Sequence, residues 1–145
     1  MKHSSLFIAP LVAGLALGGC ATQSAARPHT AAFGGPAARA VDLPVAQAPG
    51  PPREVRVLVD EPALKLASIV LRNGTVLPTH RSDVPVTIVA LSGRGAVVVG
   101  AERLALDPAH AVVLAAGVPH AVEPDAGGDL VLLVHHLGRG EEHAR

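Results

Sequence analysis

The 145 residues predict an all-β domain, a small barrel or sandwich, preceded by a long segment that takes no part in it. Three observations carry this reading. From residue 54 onward the chain is a series of short runs rich in Val, Leu and Ile, evenly spaced and cut by turn signals. No apolar stripe with a helical period lies between them, so nothing alternates with the strands as crossover helices would. The strongest break, Asn73-Gly74, joins two residues that tolerate positive φ and so predicts a tight turn.

Taken in order, residues 1–19 read as an export signal. Lys2 gives a basic start, and an almost unbroken apolar run follows over 6–17. The run is shorter than the roughly 20 apolar residues needed to span a bilayer, and Pro10 interrupts it. It closes on Leu17-Gly18-Gly19-Cys20, which resembles the lipobox of bacterial lipoproteins. That resemblance implies cleavage just before Cys20 and lipidation of its thiol. Ala21 in place of Asp implies transfer to the outer membrane, facing the periplasm. Cys20 is the only cysteine, so once acylated it leaves no thiol for a disulfide or a metal.

Residues 20–53 are rich in Ala, Gly and Pro, with Pro28, Pro36, Pro44, Pro49, Pro51 and Pro52 spread along them. No period survives there, and the stretch is expected to be a disordered tether. The barrel is assigned to 54–139 and a polar tail to 140–145. Strands are expected at 55–60, 64–72, 75–80, 86–91, 96–99, 103–106, 111–114, 120–123 and 130–136.

Composition narrows the function. Formal net charge is zero, with no block of like charge to steer nucleic acid or anionic lipid. There is no Trp or Tyr, and the two phenylalanines, Phe7 and Phe33, precede the barrel. The domain therefore offers no aromatic face for stacking a base.

The order of motifs from Gly74 to His136 resembles a single cupin domain. Gly74 is followed after five residues by His80, and the first motif closes at Gly93. The second survives as Gly117-Val118-Pro119-His120, after the run 111–114. The resemblance implies a jelly-roll β-barrel and a metal site of three histidines and a glutamate. Only His80 and His120 of that set remain. Ser82 stands at the second histidine, and Val86 or Thr87 at the glutamate. Ala109, Ala115 and Pro124 replace other motif residues.

Residues two apart on a strand share a face, so His80 and Ser82 are expected to point into the barrel together, with His120 entering from a neighbouring strand. His80, Ser82 and His120 are the candidate ligand-binding residues. His80 and His120 are also candidate ligands for one divalent transition metal, since neutral imidazole suits Zn, Cu, Fe or Ni. A third ligand could come from Asp83, or from whichever of His135 and His136 faces inward, because adjacent strand residues point opposite ways. The metal-free reading has these histidines hydrogen-bonded to Ser82, Thr79 or backbone. His110 lies in a turn, and His29 and His143 lie outside the barrel.

No nucleophile elbow, phosphate loop or dinucleotide fingerprint is present. The favoured function is a membrane-anchored module binding a small molecule through His80 and His120. The alternatives are a metal-dependent cupin enzyme of dioxygenase or isomerase type, and an envelope interaction scaffold. Expected partners are the membrane, through the lipid, and the small molecule; a homodimer stays open, and nucleic acid is not expected.

Overall fold

The computed structural model describes Pro36 and residues 38–44 and 48–138. The export signal, Cys20, much of the tether and the polar tail lie outside these residues.

Among the described residues nine strands form, one on each expected run. They are β1 (Arg53–Glu61), β2 (Leu64–Leu71), β3 (Leu77–His80), β4 (Val86–Ser92), β5 (Gly95–Val99), β6 (Glu102–Leu106), β7 (Ala111–Leu114), β8 (His120–Pro124) and β9 (Leu130–Leu137). A five-stranded sheet runs β1-β2-β9-β4-β7 and faces a four-stranded sheet running β3-β8-β5-β6. All pairings between the strands are antiparallel, and the chain repeatedly crosses from one sheet to the other, as in a jelly roll.

Alternation fixes which face is inward. Along β4, Val86, Ile88 and Ala90 are buried while Thr87 and Val89 are only partly covered. With Leu71, Val97, Leu106, Val122, Leu130 and Leu132 they form a core made wholly of aliphatic side chains. Each such side chain contributes about 1.5–3 kcal/mol when fully buried, so the domain needs neither aromatics nor staples.

The expected tight turn forms between β2 and β3. Asn73 and Gly74 both take positive φ, at 54° and 71°, and Thr75 N donates to Arg72 O at 3.0 Å to close it. Thr75 Oγ1 donates to the same carbonyl at 2.6 Å. These bonds hold Thr75 in the turn, which is why β3 begins at Leu77 and not at residue 75. The turn sends the chain from the larger sheet into the smaller one. At the same end of the barrel, where Asn73 N donates to Asp129 Oδ1 at 2.8 Å, Gly93 takes φ of 84° and lies against the backbone of Asp129, leaving no room for a Cβ.

The stretch expected to be a disordered tether is held against the barrel at its C-terminal end. Arg72, at the end of β2, is only 6% exposed. Its guanidinium donates to Ala48 O at 3.2 Å, to Pro51 O at 2.8 Å and to Glu54 Oε2 at 3.0 Å. Its backbone N donates to Pro52 O at 2.8 Å. Gly50 lies flat on the guanidinium; a Cβ there would come within 2.8 Å of it. A buried guanidinium must fill its donors, and the carbonyls of 48–51 are what it finds. Arg39 adds a weaker, exposed contact to Glu61 at 3.4 Å. The ordered unit therefore starts before residue 54.

Candidate functional site

A cavity of about 260 Å³ opens between the two sheets. Its floor is aliphatic, built from Ile69 of β2, Val86 and Ile88 of β4, Leu132 and Val134 of β9, and Leu77 and Val122 of the facing sheet. Its polar wall and rim are His80, Arg81, Ser82, Asp83, His120 and His136.

The two motif histidines meet because β3 and β8 pair in a register that sets His80 directly opposite His120. Paired residues share a face, so both rings stand on the cavity side. Their centroids are 4.3 Å apart and their planes are inclined by 53°. His120 is 3% exposed, whereas His80 is exposed and sits at the mouth. Both line the cavity, at different depths.

Each ring is pinned in the same way. His80 Nδ1 lies 2.9 Å from Pro78 O, and His120 Nδ1 lies 3.0 Å from Val118 O. A carbonyl oxygen only accepts, so Nδ1 must carry the proton in both rings. In the neutral forms each Nε2 is then a bare acceptor. Burial pushes the pKa of His120 down; the Val118 carbonyl opposes this and nearby His80 adds to it. His120 is therefore held neutral.

Ser82 departs from expectation in its setting. β3 stops at His80, so Ser82 lies in the following loop. Ser82 Oγ accepts from Val84 N at 3.3 Å and Ser82 O from Gly117 N at 2.7 Å. It still reaches the cavity, but loop geometry and not strand alternation brings it there.

Register also decides between the last two histidines. His136 pairs with Val86, a cavity residue, whereas His135 pairs with Thr87 on the opposite face. His136 therefore lines the cavity and His135 does not. His136 Nδ1 is buried with no partner at hydrogen-bonding distance. Its pKa is lowered by burial first and by the Lys65 charge next; the Lys65 backbone opposes this, and His80 adds the least to it. Sequence alone allows at most one of the pair inside and does not say which. Asp83 and Arg81 stand exposed at the rim. His110 is exposed in its turn, 2.9 Å from Asp107 Oδ1.

The sequence resemblance implies a divalent metal held by histidine nitrogens and a carboxylate. A free Nε2 with Nδ1 held by a carbonyl is how histidine commonly ligates. The glutamate position, however, falls on the buried Val86 of the cavity floor or on Thr87 of the opposite face, and neither carries a carboxylate. Among the described residues no group of three or more His, Cys, Asp or Glu side chains is gathered for one ion. A durable zinc site uses three or four protein ligands. The residues present do not fit a resident divalent metal.

No family model matches the chain by sequence, and no curated protein matches it. Solved structures do match in fold. A cupin superfamily protein from Desulfitobacterium hafniense aligns with a TM-score of 0.58 at 15% identity, over 70% of this chain and 100% of its own. An RmlC-like cupin from Shewanella frigidimarina gives 0.56 at 14% identity, over 70% and 87%. Another, from Desulfovibrio desulfuricans, gives 0.53 at 22% identity, over 59% and 81%. At these identities the likeness speaks for the fold.

Proposed function

This chain has the cupin jelly-roll fold, and from that premise we propose that it is a membrane-anchored binding module for a small molecule. The cavity between the sheets is the binding site, and the His80–His120 pair orients the ligand. The observation that carries the reading is the cavity itself: an aliphatic floor with two neutral-capable imidazoles converging at one end. Apolar concavities with a few convergent polar groups are the usual form of ligand sites. A cavity of about 260 Å³ is below the range of about 300–1,000 Å³ usual for drug-sized ligands. The ligand is correspondingly small.

Cys20 and the lipobox-like residues before it support export and lipid anchoring in the cell envelope, at the outer membrane facing the periplasm. Two or more acyl chains on one residue anchor durably, at about 0.8 kcal/mol per buried methylene.

Native mass spectrometry of the full-length protein, released from detergent, tests the binding reading. A retained or added small aliphatic compound, lost in His120→Ala, is the expected result. A protein that retains nothing, and is stabilised by no compound of this size, supports the scaffold reading instead. One equivalent of transition metal, in protein prepared without chelator or nickel resin, supports the enzyme.

A further inference from the structure

The two imidazoles are chemically alike in a way that selects their ligand. Pro78 O and Val118 O each take the Nδ1 proton, so each neutral ring keeps a bare Nε2, and both rings line the cavity. His120 Nε2 makes no hydrogen bond within the described protein and is not sealed from the cavity. Two acceptors on facing residues leave no donor for one another. Whatever sits between them must supply the protons.

Charge on the ligand is disfavoured from both sides. A carboxylate would set its lone pairs against those of the two rings. An ammonium would lie over Ile69, Leu77 and Val122, where desolvating a charge is costly. The rim contributes one charge of each sign, Arg81 and Asp83, and so no net pull. We propose that the cavity takes a small uncharged aliphatic alcohol, best a vicinal diol, whose two hydroxyls donate one each to Nε2 of His80 and of His120 while its carbon chain lies on the aliphatic floor. The rings are close enough, with centroids 4.3 Å apart, for one small ligand to reach both. This inference rests on the binding reading above and narrows it to a chemical class.

The test is a titration of the full-length protein at neutral pH, followed by long-range proton–nitrogen spectra of the imidazoles. Before any addition, both rings should show the Nδ1–H tautomer; an Nε2–H tautomer at either ring overturns the inference. Hexane-1,2-diol should then shift Nε2 of His80 and His120 saturably. Hexan-1-ol, with one donor fewer, should bind about tenfold more weakly. Hexanoate and hexylammonium should leave both nitrogens unmoved. Should either ion shift them more than the diol does, the donor class is wrong while the pocket stands. Should no probe shift them, both readings fall. His120→Phe should abolish the diol response; His80→Phe, at the exposed mouth, gives the same test without disturbing the interior. A diol affinity unchanged in His80→Phe overturns the inference as well.

Discussion

His80 and His120 face each other across the β3–β8 pair, one at the mouth of the barrel and one inside it. The pair is close, yet its members differ in what holds them. His120→Ala removes a buried ring and leaves the Val118 carbonyl without its partner, at a cost of about 1–3 kcal/mol. His80→Ala is expected within about 0.5 kcal/mol of the parent, as for exposed substitutions. Urea unfolding of both variants checks this, and equal losses would contradict the difference in depth.

Stability should depend on pH through His120 and His136. Burial lowers both pKa values in the folded state, whereas the unfolded chain titrates near the ordinary imidazole value of about 6.5. Between the two the unfolded state binds more protons, so stability rises with pH across that window. It is full above about 6.5 and is lost as pH falls toward the depressed folded values. The urea midpoint should be lower at about pH 5 than at about pH 7.5, and the His120→Phe, His136→Phe double variant should flatten the change. A midpoint that rises on acidification would show the sign to be wrong.

The hold on residues 48–52 should depend on Arg72. Arg72→Met strands the carbonyls of Ala48 and Pro51. The loss is about 2 kcal/mol or more for two charge-assisted hydrogen bonds. Limited proteolysis should cut the parent upstream of Ala48 and the variant up to Arg53. Gly50→Ala, which pushes on the guanidinium, should give a milder version of the same pattern. Identical cleavage in all three proteins would dismiss the contact as inconsequential.

Two glycines in the same φ region should respond differently to alanine. Gly100 has φ of 58° and open space around it, so Gly100→Ala should cost about 1 kcal/mol in backbone strain alone. Gly93→Ala adds a collision with the Asp129 backbone, and strain plus overpacking raise the cost to about 3 kcal/mol or more. Thermal unfolding of the two variants measures the gap; a Gly93 variant as stable as the Gly100 variant would show that the β4–β5 turn yields.

Cys20→Ser should accumulate as full-length precursor without acyl label, while the parent partitions into detergent and starts at a modified Cys20. Correct trimming and acylation of the serine variant would end the lipoprotein reading.

The strands were legible because the core is aliphatic and alternating: Val86, Ile88 and Ala90 announce an inward face by period alone. The Asn73-Gly74 turn was legible for a similar local reason, since few other pairs take positive φ twice in a row. Distant spacing between motifs was enough to bring His80 and His120 together. His136 was not legible as a cavity residue, because which face it takes depends on its pairing with Val86 of β4, a matter of register across the sheet. Arg72 was hidden for a different reason. In sequence it reads as a charge at the end of a strand, and nothing local says that a guanidinium there will be covered by carbonyls from two dozen residues upstream.

The grip of Arg72 also sets how far the barrel can roam. If lipid fixes Cys20 to a bilayer, 28 peptide steps separate that point from Ala48 (48 − 20). A chain extends at most about 3.4 Å per residue, so the leash is no longer than roughly 95 Å. Freed as far as Glu54 it would gain six more steps (54 − 48), or about 20 Å of slack. One buried arginine thus acts as a cleat: it takes up line, and it fixes the point on the barrel from which the line pulls.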